Sequence, residues 1–231
     1  VSAPTAVYVY FGAGMQMFSL GALLGWIPSY LNRYYGLDAG QAGVNAGGLV
    51  LISAFGMALG GAVVDRLSRR VPGRRLVIIA IYAATTMAMF GAAFLQGPGP
   101  IQLALIAVGI FFSGAHNGPC TAIVTEVNDS RLHATVLATY ALATSLLGMA
   151  AGPFVVGLVA DSRGLQFALL AMPVTSLVAC VLFLLARRQY GADARRFAAA
   201  PESSLEAIEE QVTLLDFHAD EHANSPRASR D

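Results

Sequence analysis

Lysine is absent from this chain of 231 residues, and all fourteen basic residues are arginine. Without lysine no G-x-x-x-x-G-K-[ST] phosphate-binding loop can be written, which excludes ATP-driven work by this chain alone. Charge of either sign is scarce: 12% of residues are charged, about half the fraction of an ordinary soluble domain. Nine of the fourteen acidic residues lie after Leu185, so the stretch before them is too apolar to be the surface of a water-soluble domain. No basic patch is interleaved with aromatics, which argues against nucleic-acid binding. Only two cysteines occur, Cys120 and Cys180, each inside an apolar run, a pattern for packing rather than for a disulfide framework or a zinc site. There is no starting Met, basic n-region or cleavage site before the first apolar run, so no signal peptide is read and an N-terminal portion is expected to be missing.

What is present is long apolar sequence. A bilayer-spanning helix needs about 20 mostly apolar residues, and six stretches qualify: 6–31, 42–64, 76–95, 101–126, 134–160 and 166–186. Turn residues and charges separate them, as in Gln96-Gly-Pro-Gly-Pro100. Barrel-type alternation is missing, and backbone groups in hydrocarbon must be satisfied within the segment, so the runs are read as helices. The second and fourth connections and the C-terminal tail carry Arg66, Arg69, Arg70, Arg74, Arg75, Arg131, Arg187, Arg188, Arg195 and Arg196; Arg33 and Arg163 stand alone on the other side. By the positive-inside rule this predicts an integral, multi-pass membrane protein with both termini in the cytoplasm; the membrane expected is that of a bacterial cell.

The domain reading is a transmembrane bundle over 1–186 and a cytoplasmic tail over 187–231. In the tail, Ser203 and Glu206 spell a capping box, and Leu205, Ile208, Val212 and Leu215 repeat at helical steps, which predicts one short amphipathic helix followed by a disordered end. The arginines at its start suit anionic headgroups. His218-x-x-Glu221-His222 copies a zinc-protease spelling but lies in this tail without a third ligand. No metal or cofactor is expected, and no catalytic residue is assigned.

Two internal patterns carry more. Gly56-x4-Gly61-x3-Asp65 ends the second span, and Gly152-x4-Gly157-x3-Asp161 ends the fifth, at a constant offset of 96 residues. Three spans separate the copies, so they enter the membrane from opposite sides, which predicts two inverted three-helix repeats. Around the first copy the chain reads Gly61-Ala-Val-Val-Asp65-Arg66-Leu-Ser68-Arg69-Arg70, and around the second Gly148-Met-Ala-Ala-Gly152-Pro153. Gly61 is read as a point of close helix approach. Asp65 sits where the chain leaves hydrocarbon, with arginines that cannot deprotonate beside it. Gly148, Gly152 and Gly157 form a small-residue packing face, and Pro153 loosens one backbone hydrogen bond.

These residues resemble the major facilitator superfamily, whose signature G-x-x-x-D-R/K-x-G-R-R/K is matched at Gly61, Asp65, Arg66, Arg69 and Arg70, with Ser68 in place of glycine. The second element is similar to that family's G-x-x-x-G-P. The resemblance implies an all-α membrane fold of six helices, one half of a twelve-helix transporter, here the C-terminal half. It also implies a missing N-terminal six-helix half, or a second copy, as partner. Trp26-Ile-Pro28-Ser-Tyr30-Leu, the loop 69–75, Gly118-Pro119 and Arg131-x-x-Ala134-Thr135 are similar to bacterial spinster-type members, associated with lipid export; the first run also resembles the organic anion symporter branch.

On the fourth span Gly109, Ser113, His116, Asn117, Cys120 and Thr121 share one helical face, with Leu105, Ile110, Phe111 and Phe112 opposite. Polar side chains at membrane depth must face protein or water. The resemblance makes this helix and the first span, with Gln16 near its centre, the lining of a central cavity. The expected substrate residues are therefore Gln16, Ser113, His116, Asn117 and Thr121. His116 fits either a structural or substrate contact or a proton relay. Glu126 is read as part of the inner gate or of a structural ion pair. The function expected is secondary transport of a small organic or lipid-like solute by alternating access, among membrane lipids. The competing readings are a rhomboid-like intramembrane enzyme using Ser113 and His116, and a six-span channel or receptor.

Overall fold

The computed structural model describes residues 3–69, 71, 73–128 and 132–195. Six helices run through them, each long and apolar enough to cross a bilayer: α1 (Pro4–Tyr35), α2 (Ala39–Ser68), α3 (Arg74–Leu95), α4 (Pro100–Glu126), α5 (His133–Arg163) and α6 (Leu165–Arg195). Each contains its predicted span. The described residues hold no strand. The tail's capping box and amphipathic repeat, and Arg70, Arg131 and Arg196, lie outside the described residues.

Local chemistry sets the helix ends. Pro4 and Pro100 begin α1 and α4, where a missing N–H leaves nothing unsatisfied. Asp38 caps α2, its Oδ1 accepting from the Gln41 N–H at 2.9 Å. Gly36, at φ +66°, ends α1, and Gly164, at φ +86°, is the whole link between α5 and α6. The largest departure from the predicted span ends is in α6, which runs on through Arg187 and Arg188 to Arg195. Its last turns have work to do. Asp193 is 3% exposed and accepts the Thr5 N–H at 2.9 Å, so α6 caps the first turn of α1.

Prolines also mark the irregularities inside the spans. A proline ring clashes with the carbonyl four residues earlier and removes one hydrogen bond. α4 is interrupted at His116, four residues after Phe112 and three before Pro119. α5 widens into a π-helix over Thr144–Ala150, which ends three residues before Pro153. α6 has a turn at Met172, next to Pro173.

α1 is the most enclosed helix, with 67% of its most apolar window buried, against 28% for α2 and 17% for α5. Two glycine seams organise the packing: α5 lies along α1, and α2 along α4. On the first seam a Cβ at Gly152 would stand 2.5 Å from the Phe18 carbonyl oxygen, and one at Gly157 2.9 Å from the Trp26 ring. Gly148 abuts Met17 and the Gly14 carbonyl, and Pro153 covers Gly25, with Trp26 Nε1 donating to the Pro153 carbonyl at 2.8 Å. On the second seam Gly56 lies against the Phe111 carbonyl and Gly60 against Ala115. Exchanging the first three helices for the last three turns one seam into the other, as inverted repeats require. Gly61 has nothing within 4 Å of its own would-be Cβ, but a Cβ at Gly118 of α4 would stand 3.9 Å from the Gly61 Cα, so the two backbones approach there as well. Gly56 and Gly60, four residues apart, share the tightest part of that contact face.

The apolar core fills the Arg-poor half of the bundle. Leu23, Ile27, Phe90, Ile106 and Leu169 are fully buried there. Ile110 is buried with them, so it is not an outward position of α4. Gln102, 1% exposed, ties the ends of three helices together. Its Nε2 donates to the Ala93 carbonyl at 2.9 Å, and its Oε1 accepts from Tyr35 at 2.7 Å and Tyr30 at 3.2 Å.

Candidate functional site

The polar residues expected on one face of α4 come together with α1, but they divide into an enclosed group and an open one. Gln16, Ser113 and His116 are each 0% exposed. Ser113 Oγ donates to the Gln16 carbonyl at 3.3 Å, and Gln16 Nε2 donates to Thr86 Oγ1 on α3 at 2.9 Å. His116 Nδ1 lies 2.5 Å from the Ser113 carbonyl, so it carries the proton and donates. Among the described residues, His116 Nε2 and Gln16 Oε1 have no hydrogen-bond partner. These three side chains point into the bundle and do not line its open side. The physical reason is that hydrogen-bond partners stand at packing distance inside the bundle, on α1 for Ser113, on α3 for Gln16 and on α4 itself for His116, which costs less than facing hydrocarbon. The Ser113 hydroxyl and the His116 ring each bond to a backbone carbonyl and not to one another, which is not the arrangement of a nucleophile and its base.

One turn further along, the stripe opens. Asn117 and Thr121 are half-buried, and Gly118 between them is exposed. Asn117 Oδ1 accepts from Tyr140 of α5 at 2.6 Å. Thr121 Oγ1 donates to the Gly118 carbonyl at 2.6 Å, and buried Cys120 is a free thiol beside them. The contributions of Thr86 and Tyr140 were not read from the sequence. Tyr140 in particular sits in an ordinary apolar run, with no motif to single it out.

At the Arg-rich end four helices meet in a charged cluster. Asp65, at the end of α2, lies 3.5 Å from Arg75 Nη2, at the start of α3. Arg75 also pairs with Glu126 at the end of α4, whose Oε2 accepts from Tyr190 of α6 at 3.1 Å. The Asp65 side chain is 61% exposed and that of Arg75 18%, so the arginine is the enclosed hub. Arg66 and Arg69 are exposed, and neither pairs with a carboxylate among the described residues. The arginine that holds Asp65 is therefore Arg75, which lies beyond the signature in which Asp65 was recognised. The described residues bring no three metal-ligating side chains together.

Residues 4–222 match the sequence model of the Major Facilitator Superfamily. The chain belongs to that family. An MFS-type efflux pump of Mycolicibacterium smegmatis is 26% identical over 175 residues, which cover 72% of this chain and 41% of the pump. An uncharacterized MFS-type transporter of Bacillus subtilis, YfiU, is 29% identical over 129 residues, 56% of this chain and 24% of that protein. Among solved structures, a bacterial homolog of the human lysosomal transporter Spinster, inward-facing and occupied, superposes with a TM-score of 0.72 at 20% identity. The match covers 83% of this chain and 50% of that one. The peptide transporter POT in complex with alafosfalin gives a TM-score of 0.63 at 18% identity, over 92% of this chain and 46% of that one. This MFS chain spans half the length, or less, of each of these proteins. Six apolar helices and the family membership make it an integral, multi-pass membrane protein with the fold of an MFS half.

Proposed function

We propose that this MFS chain is the C-terminal half of a secondary transporter for a small organic or lipid-like solute, working by alternating access against an opposing six-helix half. The observation that carries the reading is the pair of glycine seams. They lock α5 to α1 and α2 to α4 while leaving the other faces of α2 and α5 the least enclosed in the bundle. A rocking half needs this arrangement: rigid inside, with broad apolar faces left for its counterpart. Solute contact is assigned to Asn117 and Thr121, where the polar stripe opens. Gln16 and Ser113 hold α1, α3 and α4 in register behind them, with His116 enclosed beside them. Asp65, Arg75 and Glu126 are assigned to a gate at the Arg-rich end, and the arginine distribution supports reading that end, with both termini, as cytoplasmic.

The test uses the full-length transporter, free of Cys120 and Cys180, in proteoliposomes. Single cysteines at Ala62, towards the Arg-rich end of α2, and at Gly43, at its opposite end, are probed with a polar thiol reagent. Solute is expected to change the two reactivities in opposite directions. High reactivity at both ends at once, indifferent to solute, would indicate a channel and overturn the proposal.

A further inference from the structure

At the Arg-poor end, well away from the polar stripe, a cavity of about 420 Å3 opens between the ends of α1 and α3 and the α5–α6 turn. Tyr34, Phe94, Phe167 and Leu170 give it apolar walls, and Arg163 and Gln166 stand at its polar side. The Arg163 guanidinium carbon lies 5.2 Å from the centroid of the Phe167 ring. No carboxylate of the described residues comes within ion-pair distance of it. The ring thus holds a cation over an apolar pocket without neutralising it.

A second cavity, of about 280 Å3, lies deeper between α5 and α6. Val155, Val159, Ala171 and Val174 line it. Val159 is one turn below Arg163 on α5, and Ala171 and Val174 are one turn below Phe167 and Leu170 on α6. From Arg163 to Val155 the helix rises about 12 Å. The one hydroxyl in this groove, Thr175, is already bonded to the Met172 carbonyl and to Ser19. The first cavity presents an unneutralised cation at the helix ends; the second is a separate apolar cavity with no lining residue in common, and it lies one turn deeper along the α5 stripe Arg163, Val159, Val155, towards the bilayer centre.

We propose that this is a site for a phosphate-bearing anionic membrane lipid, its headgroup at Arg163 and Gln166 and one acyl chain along the α5–α6 groove. Charge complementarity selects an anion, and the deeper apolar cavity selects one that carries a hydrocarbon chain. The site is outside the proposed solute path, so binding can be read without transport.

Native mass spectrometry of the detergent-purified protein tests it, with phosphatidylglycerol and phosphatidylcholine of the same acyl composition as probes. Phosphatidylglycerol is expected to be retained in preference. Arg163→Gln should lower its affinity about fivefold, Arg163→Lys should keep most of it, and Arg33→Gln, at the other arginine of that end, should leave it unchanged. Ala171→Trp, which fills the groove and alters no charge, should also weaken retention, so the proposal stays testable if the Arg163 variants fold poorly. Equal retention of the two lipids, or no change on both Arg163→Gln and Ala171→Trp, overturns it. Displacement of the lipid by millimolar inorganic phosphate would make the ligand a free anion and also overturns it.

Discussion

Gly152 offers the sharpest test of the packing. A Cβ there would lie 2.5 Å from the Phe18 carbonyl oxygen, 3.0 Å from the Ala22 nitrogen and 3.3 Å from the Ala22 Cβ. A carbon–oxygen contact relaxes at about 3.3 Å or more, so Gly152→Ala requires roughly 0.8 Å of separation. Two of the three obstructing atoms are backbone atoms of a buried helix and cannot rotate away. The whole α1–α5 seam must part, loosening Gly148 on Met17 and Pro153 on Gly25 with it. Overpacking of this kind costs about 1–3 kcal/mol. The better helix propensity of alanine returns at most about 1 kcal/mol, and less if the unfolded reference keeps its helices in detergent. The net expectation is a loss of about 1–2 kcal/mol. Gly61→Ala is the internal control, since nothing stands within 4 Å of its Cβ position, and it should be neutral or stabilising. Unfolding by increasing dodecyl sulfate fraction in mixed micelles, followed by circular dichroism, measures both. Gly56→Ala, placed on the Phe111 carbonyl by the inverted repeat, should behave like Gly152→Ala. If Gly152→Ala is as stable as Gly61→Ala, the seam does not hold the bundle together and the reasoning fails.

Removing the cap on α1 by Asp193→Ala should cost about 1 kcal/mol in the same titration, with Asp193→Asn intermediate; an unchanged midpoint for both would mean that α6 does not stabilise the start of α1. Arg75→Gln strips Asp65 and Glu126 of their shared partner, and because the carboxylates are partly exposed, stability should fall by no more than about 1 kcal/mol. Solute flux in proteoliposomes should drop with little change in apparent affinity, and Asp65→Asn should do the same; a large affinity loss with normal turnover would take both residues out of the gate. Cysteines placed at Asn117 and Thr121 should react with a polar thiol reagent well before cysteines at Gln16, Ser113 or His116, and equal rates would contradict the division of the stripe.

Hydropathy located all six spans, because about 20 apolar residues in a row have few other uses. It stopped short in α6, where Arg187 and Arg188 end the apolar run but not the helix. Helix continuation there depends on what Asp193 caps, and that partner lies 188 residues away in the chain. The α5 glycine face was legible, since Gly148 and Gly152 share a face at a spacing of four. At Gly61 the signature marks the looser approach, where a Cβ at Gly118 would stand 3.9 Å from the Gly61 Cα, whereas Gly60 next to it carries the tight contact. For the polar stripe, periodicity grouped Ser113, His116 and Asn117 on one helical face. It contained no information about what stood opposite, and that decided which of them were buried. Arg75 was counted only as an inside arginine; its pairing with Asp65 and Glu126 links three helices, and no spacing rule reaches across three helices.

The π-helix of α5 is, in effect, one spare residue wound into a transmembrane span. Removing a residue from a regular helix turns everything on one side of the cut by about 100°, which would carry Tyr140 away from Asn117 or Gly152 away from Phe18. Within Thr144–Ala150 the same deletion has somewhere to go, because a π turn that loses a residue becomes an α turn and the two flanks keep their facing. This span is thus tolerant of length change at the one place where its backbone is already irregular, and intolerant a turn to either side. A deletion scan through α5 would meet that tolerance as a narrow window centred on Leu147, beside the tightly packed Gly148 and Gly152.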